Sequence, residues 1–195
     1  MFVRDAASRR ASEKKLSEQK RSALVKNAEE KWDKFMKTMK EKYKKAVEKV
    51  VVATGIGSKK DDKERIANIE KSLMLITGQK PKVNQAKKSI ATFKLREGMP
   101  IGYSVTLRGK RMADFLEKFI NVTLPRVRDF RGVNPKLIDE SGNITVGLKE
   151  HIVFPEASGE DIRSAFGAGV TIVTKAKNKK EALKVLEFIG FPFKK

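Results

Sequence analysis

One alternating stretch of this chain has residue types suited to contact with a phosphate and ribose backbone. Residues 98–109 predict a strand with one apolar face, because every second residue is apolar. The other face is small, polar and basic, and consists of Gly102, Ser104, Thr106 and Arg108. Small residues let a backbone approach, hydroxyl groups reach ribose and phosphate oxygens, and a guanidinium group supplies charge. This pattern predicts a surface that binds RNA.

Other donor-rich stretches and the overall charge support the same prediction. The segment 125–132 contains three arginines, and Gln79 and Lys80 lie at a turn after a predicted helix. An ordinary solvent-facing strand is the alternative interpretation of residues 98–109. The chain carries 44 Lys and Arg against 24 Asp and Glu, a net charge of +20. So large an excess causes self-repulsion unless an anion offsets it, which favours a nucleic-acid partner. Because most phenylalanines fall on apolar faces, we expect recognition of a folded RNA by shape and backbone rather than by stacking.

Residue patterns for catalysis and cofactor binding are nearly absent. The chain has no cysteine, which excludes disulfides, cysteine zinc sites and thiol catalysis. His151 is the only histidine and has no partner at metal-ligand spacing. The Gly55-Ile-Gly57 sequence lacks the third glycine of a dinucleotide fingerprint, and Asp61 with Asp62 is explained as a helix N-cap. We therefore expect a protein that is not an enzyme and has no cofactor, metal, small-molecule substrate or membrane span.

The N-terminal part of the chain predicts helix. Residues 1–54 contain neither glycine nor proline. Residues 1–30 are rich in charged and polar types and predict a basic arm that is mobile or helical. From Trp32 to Val50 apolar residues recur with helical spacing, which predicts one long helix with a packing stripe. The β-branched run Val50–Thr54 then predicts a buried strand.

The rest of the chain predicts a single α+β domain over residues 31–195. Predicted helices begin at a capping sequence, Asp61–Glu64 or Asn178–Glu181, or follow a 3.6-residue apolar period. The segments in chain order are a helix from 61 ending at Gly78, a strand at 101–107, a helix at 112–120 stopping before Pro125, strands at 144–148 and 170–175, and a helix from 178. A largely antiparallel sheet with helices packed on one face, plus the long N-terminal helix, fits this order best.

A basic loop at residues 80–94 interrupts the pattern. It contains five lysines and no acidic residue. Short β-compatible pieces, Lys82–Asn84 and Thr92–Leu95, flank its middle. We expect an extended basic hairpin or loop.

Several ordered blocks of sequence resemble one ribosomal protein family. From about Ala46 to Lys195 the chain is similar to large ribosomal subunit protein five of the bacterial type. The matching blocks are Gly78-Gln-Lys-Pro81, Ala86-Lys-Lys-Ser89, Phe93-Lys-Leu-Arg-Glu-Gly98, Pro100-Ile-Gly102, Val105-Thr-Leu-Arg-Gly109, Pro125-Arg-Val-Arg-Asp-Phe-Arg-Gly132 and Phe191-Pro-Phe-Lys194.

This resemblance implies a structural protein of the large ribosomal subunit, in the cytoplasm or in an organelle. The implied partners are 5S rRNA in the central protuberance, 23S rRNA, P-site tRNA and small-subunit ribosomal protein thirteen. With the residue patterns above, the expected 5S rRNA contacts are Gly55, Gly57, Gln79, Lys80, Ser104, Thr106 and Arg108. The expected tRNA-facing loop has Lys82, Lys87, Lys88 and Lys94, and the expected inter-subunit bridge has Arg131, Asn134 and Lys136.

The chain departs from the family pattern at Ala53, where the family usually has asparagine. Two other functions remain open at this point: a free-standing RNA-binding protein or RNA chaperone that uses the basic arm, and an enzyme acting on RNA. The missing acid and base residues disfavour the enzyme. Co-sedimentation separates a ribosomal protein from a chaperone, because a ribosomal protein stays with large subunits at high salt whereas a chaperone washes off.

Overall fold

The computed structural model describes residues 31, 38, 41, 43, 45–57, 63–157, 159 and 165–194. The chain forms two compact units, Met1–Met39 and Lys40–Lys195. In the first unit the described residues, Lys31 and Thr38, are helical. The predicted arm at 1–30, most of the predicted long helix and the predicted cap at Asp61 and Asp62 lie outside the described residues.

The second unit is built on one five-stranded sheet in the order β2-β3-β1-β5-β4. The strands are β1 (Val47–Gly55), β2 (Lys82–Gln85), β3 (Pro100–Leu107), β4 (Ile144–Leu148) and β5 (Ala168–Thr174). Every neighbouring pair is antiparallel. The first strand of the sheet is therefore its central strand, bordered by β3 and β5.

Three α-helices accompany the sheet in the described part of the second unit, and one end of α1 and one end of α3 follow the predicted signals. They are α1 (Lys63–Thr77), α2 (Gly109–Lys118) and α3 (Lys179–Phe188). Gly78, with φ of +65°, ends α1 and donates its N–H to the Met74 carbonyl at 2.8 Å. The Asn178 side chain accepts from the Glu181 N–H at 2.9 Å at the start of α3. Across residues 63–157 and 165–194 no helix is long and apolar enough to cross a membrane.

One face of the sheet is packed and the other is not. Alternate strand residues are buried, among them Val50, Val52, Tyr103, Val105, Leu107, Ile144, Val146, Val170 and Ile172. The apolar residues of the helices are buried with them, including Leu73, Met112, Phe115, Leu116 and Leu186. Since burial of this apolar surface is the main favourable term in folding, the helices are held on this one face. The predicted α+β class is confirmed.

The predicted helical stripe runs too far into the chain. Lys45 and Ala46 are helical, but β1 already begins at Val47. Val47 and Val50 fit both a helical and a strand period, and the valine run favours the strand. Tyr43, just before this junction, is fully buried. Burial raises its pKa, and the nearby Glu117 carboxylate raises it further, so the phenol stays neutral.

The helix predicted to stop before Pro125 is α-helical as far as Lys118 and so does end before the proline. After α2 the chain continues as a π-helical turn, Phe119–Thr123, and a 3₁₀ turn, Leu124–Arg126, that contains the proline. Proline is tolerated in the first positions of such a turn because its missing N–H has no partner there. Beyond α2 the chain therefore widens in the π-helical turn and then tightens in the 3₁₀ turn.

Candidate nucleic-acid interface

The unpacked side of the sheet forms a surface that we call the open face. The strand register places on it Lys49, Val51, Ala53 and Gly55 of β1, Lys82 and Asn84 of β2, Gly102, Ser104 and Thr106 of β3, Thr145 and Gly147 of β4, and Gly169, Thr171 and Val173 of β5. Apart from Gly102 these residues are half-buried or exposed. The open face thus extends across all five strands.

Polar groups on the open face are small and partly linked to one another. The Ser104 hydroxyl donates to Oδ1 of Asn84 at 3.1 Å. The hydroxyl groups of Thr145 and Thr171 lie 3.0 Å apart in a hydrogen bond. None of the residues assigned to the open face is acidic or aromatic. Such a surface offers hydroxyl, amide and ammonium groups to a phosphate and ribose backbone without repelling it.

Two paired glycines on this side of the sheet have different surroundings. Gly55 and Gly102 are cross-strand partners. A Cβ added to Gly55 would meet nothing closer than the Ile101 carbonyl oxygen at 4.0 Å, whereas one added to Gly102 would lie 2.5 Å from the Thr54 carbonyl oxygen. Gly102 is buried, while Ile101, predicted on the apolar face, is 41% exposed. Gly102 is therefore required by the close approach of β1, and Gly55 leaves space above the sheet.

The other residues expected at 5S rRNA lie around the open face. Ser104 and Thr106 are on it and half-buried, opposite Ala53 and Val51. Gly57, with φ of +70°, lies in the turn after β1.

Three further residues of that set are in connecting segments. Gln79 is half-buried and Lys80 is exposed in the connection from α1 to β2. Arg108 is exposed between β3 and α2. The structure thus groups Ser104, Thr106 and Gly55 on one surface and leaves Gln79, Lys80, Arg108 and Gly57 at the ends of its strands.

The connection between β2 and β3, residues 86–99, is an ordered hairpin that we call the tip hairpin. Ala86 and Gly98 lie at its base, where the Ala86 N–H donates to the Met99 carbonyl and the Gly98 N–H to the Ala86 carbonyl. Ile90 and Leu95 exchange two backbone hydrogen bonds of 3.0 Å each. The predicted β piece at Thr92–Leu95 is instead a 3₁₀ turn, Ala91–Phe93, because Lys94 adopts a left-handed φ of 50° and turns the chain.

The tip hairpin presents both positive and apolar side chains. Lys87, Lys88 and Lys94 are exposed on it. Phe93 is 65% exposed and is thus not one of the phenylalanines on packed faces. Lys82, predicted with these lysines, is not on the tip: it belongs to β2 and pairs with Ser104 on the open face.

The residues expected at the inter-subunit bridge lie in a separate surface segment. Arg131, Asn134 and Lys136 are all exposed. The Asn134 side chain accepts from the Lys136 N–H at 2.9 Å and caps the short turn Pro135–Leu137. Leu137 in that turn is 50% exposed. The segment therefore presents a polar, basic surface with one apolar side chain.

The single histidine has a structural environment. His151 is fully buried, its ring stacks on Phe166 at 3.9 Å, and its Nδ1 accepts from the Phe166 N–H at 3.3 Å.

Tyr103 of β3 is buried on the packed face of the sheet. Burial raises the pKa of its phenol, and the Glu70 carboxylate raises it further. Among the described residues no group of three or more His, Asp or Glu side chains could hold a metal ion.

Sequence reasoning missed half of the open face. Thr145, Gly147, Gly169 and Thr171 continue it onto β4 and β5. Their alternation with apolar residues was visible, but only the strand order shows that they share a surface with Ser104 and Thr106. Asn84 was also missed, because a short strand inside a lysine-rich segment gives little periodic signal.

The chain matches two family models that together span most of the second unit. Residues 44–96 match the model described as ribosomal protein L5. Residues 100–193 match the model that describes the C-terminus of the same ribosomal protein family. The resemblance predicted from the sequence blocks is confirmed by both.

Curated bacterial proteins are similar over the same region. The chain is 52% identical over 147 residues to large ribosomal subunit protein uL5 of Halothermothrix orenii, covering 75% of this chain and 82% of the relative. It is 54% identical over 149 residues to the protein of the same name from Thermosipho melanesiensis, covering 76% and 82%. The protein of that name from Thermus aquaticus is 51% identical over 149 residues, with the same coverage.

Proposed function

Because the chain belongs to the ribosomal protein L5 family, and is thus a structural protein of the large ribosomal subunit, we propose that its open face binds 5S rRNA. One observation carries this proposal. All five strands present small, hydroxyl-bearing or amide-bearing residues outward, whereas most residues on the opposite face of the sheet are buried. Such a wide surface without acidic or bulky groups suits close approach of a folded RNA backbone.

The charge of the chain supports the same partner. The net charge of +20 is borne partly by Lys82 on the open face and by Lys80 and Arg108 beside it. Counterion release from the phosphates would then supply much of the affinity. Membership of a ribosomal protein family favours a ribosomal role over a free-standing RNA chaperone. Attachment of 5S rRNA in the central protuberance, next to 23S rRNA, is the corresponding role in the particle.

The tip hairpin is the proposed contact with P-site tRNA. Its hydrogen-bonded base and the Ile90–Leu95 pair limit the backbone freedom that binding would otherwise remove. Lys87, Lys88 and Lys94 supply charge for phosphates, and Phe93 supplies an exposed ring that can pack against a nucleotide.

The segment around Asn134 is the proposed bridge to the small subunit. Arg131, Asn134 and Lys136 give it hydrogen-bond donors, and the exposed Leu137 gives it an apolar contact. A partner protein, namely small-subunit ribosomal protein thirteen, suits such a mixed surface better than RNA does.

The open face is tested by a double variant, Thr106→Val with Gln79→Ala. Both side chains lie at the surface, so the fold should survive, while each lost hydrogen bond should weaken 5S rRNA binding by about 1 kcal/mol. Filter binding over a salt series gives the affinity. If about 6–10 phosphates are neutralised, wild-type affinity should fall by about 10³–10⁵ between 50 and 200 mM salt.

A matched control removes the same groups elsewhere. Thr92→Val with Asn68→Ala takes one hydroxyl and one amide from exposed positions, one on the tip hairpin and one on α1. This control should bind 5S rRNA normally and have an unaltered circular dichroism spectrum. Equal affinity of both double variants and wild type would remove the open face as the RNA surface.

A further inference from the structure

Three exposed arginines share one short loop, residues 126–131, which we call the arginine loop. Arg126, Arg128 and Arg131 are all exposed. Within the part of the chain that the structure describes, none of their guanidinium groups forms a hydrogen bond or an ion pair. Asp129 lies between them without pairing with any of the three. Three like charges held this close repel one another, so folding alone does not account for them.

The arginine loop is held firmly at both ends. On one side it follows the fully buried Leu124, whose carbonyl accepts from the Val127 N–H at 3.1 Å. On the other side it joins Val133, which exchanges backbone hydrogen bonds with the C-terminal segment: its N–H donates to the Pro192 carbonyl at 2.8 Å and its carbonyl accepts from the Lys194 N–H at 2.9 Å.

Two backbone conformations, one inside the loop and one directly after it, also restrain the loop. Asp129 has a left-handed φ of 56°, a region that non-glycine residues seldom adopt. At Gly132, with φ of +93°, a Cβ would lie 2.7 Å from the Lys194 backbone nitrogen. The C-terminal segment therefore packs directly against the end of the loop. A loop fixed in this way loses little conformational freedom when it binds a ligand.

The arginine loop belongs to the helical layer rather than to the open face. It continues from α2 through the two short turns after it, and the segment that holds it follows α3. Both helices bury their apolar residues in the layer on the packed side of the sheet. The arginine loop is thus not part of the open face.

We propose that the arginine loop is a second RNA site, which binds phosphate groups of an RNA segment other than the 5S rRNA on the open face. This inference rests on the proposed function. Guanidinium groups pair with phosphate oxygens in a two-pronged geometry, and nothing in the described chain competes for Arg126 and Arg128. Arg131 lies at the border with the proposed bridge segment, so Arg126 and Arg128 define the site.

The test compares two binding steps for the variant Arg126→Gln with Arg128→Gln. The first step is binding of the full chain to isolated 5S rRNA, and the second is binding of the preformed complex to 23S rRNA. We expect the first affinity to stay within about twofold and the second to fall by about tenfold or more. The slope of log affinity against log salt should decrease by about two in the second step, one for each lost phosphate contact.

Two further variants serve as controls. Lys179→Gln with Lys180→Gln removes two exposed charges from the start of α3 and should leave both steps unchanged. Arg126→Lys with Arg128→Lys keeps the charge, so it should restore the salt slope while affinity in the second step stays lower, because an ammonium cannot make the two-pronged contact.

The outcomes separate this inference from the proposed function. Loss of 5S rRNA affinity in the glutamine variant would assign the loop to the first RNA site and overturn the inference alone. Unchanged affinity of the preformed complex for 23S rRNA would also overturn the inference. Weaker binding to 23S rRNA with the wild-type salt slope would overturn it too, because it would indicate that the arginines contact something other than phosphate. Failure of the wild-type chain to bind 5S rRNA would instead overturn the proposed function, and binding of the chain alone to 23S rRNA would still test the loop.

Discussion

Gly55 and Gly102 face each other across β1 and β3, and opposite results are expected when each is enlarged. At Gly55 the nearest atom to an added Cβ is 4.0 Å away, so Gly55→Val should be accommodated. Because glycine in a strand costs about 0.5–1 kcal/mol relative to alanine, the free energy of unfolding should stay constant or rise by up to about that amount. The new methyl groups would stand above the open face where the RNA backbone approaches. If two hydrogen bonds to RNA are lost, at about 1 kcal/mol each, 5S rRNA affinity falls roughly 30-fold.

The partner glycine provides the contrast. In Gly102→Ala the new Cβ would lie 2.5 Å from the Thr54 carbonyl oxygen, which is backbone and cannot move aside cheaply. Overpacking of this kind costs about 1–3 kcal/mol, so the free energy of unfolding should fall. Urea denaturation measures stability, and filter binding at one fixed salt concentration measures affinity. A Gly55→Val protein that binds 5S rRNA as wild type does would refute the assignment of the open face, and a destabilised one would refute the claim of open space at Gly55.

Three other changes test separate parts of the molecule. Lys87→Ala with Lys88→Ala should leave thermal stability and 5S rRNA binding nearly unchanged but loosen P-site tRNA on whole ribosomes, since both lysines are exposed on the tip hairpin; loss of 5S rRNA binding would show that the tip belongs to the primary site. His151→Ala should lower the free energy of unfolding by about 3 kcal/mol, because it leaves a cavity beside Phe166; an unchanged urea midpoint would contradict this. Removal of residues 1–30, which are basic with few apolar residues, should keep Tm within error and weaken binding to the large subunit; a large fall in Tm would mean that the segment packs on the domain.

The sequence was sufficient for the elements whose signals are local. The alternation at 101–107 predicted β3 and its outward Ser104 and Thr106, because successive side chains of a strand point to opposite faces of the sheet. Gly78 and Asn178 predicted helix ends, because caps depend on hydrogen bonds within a few residues.

Features that depend on distant contacts were not predictable in the same way. Thr171 lies on the open face because of the register of β5 against β1 and β4. This register cannot be inferred from the residues near Thr171 in the sequence. Val47 fits a helical and a strand period, and its pairing with Thr174 of β5 places it in the strand. The left-handed Lys94 that replaced a predicted strand with a turn is supported by the Ile90–Leu95 pair, a closure that composition does not reveal.

The position of β1 has a consequence for the order of events during synthesis. Its partner β3 is available once residue 107 has left the exit tunnel, but its other partner β5 is not complete until residue 174. The Thr54 hydroxyl donates at 2.6 Å to the carbonyl of Gly167, 113 residues later. A nascent chain lacking β5 therefore has a central strand with a bare edge and only part of the surface proposed for RNA. Products of premature termination before that point lack β5 and therefore cannot form the complete open face.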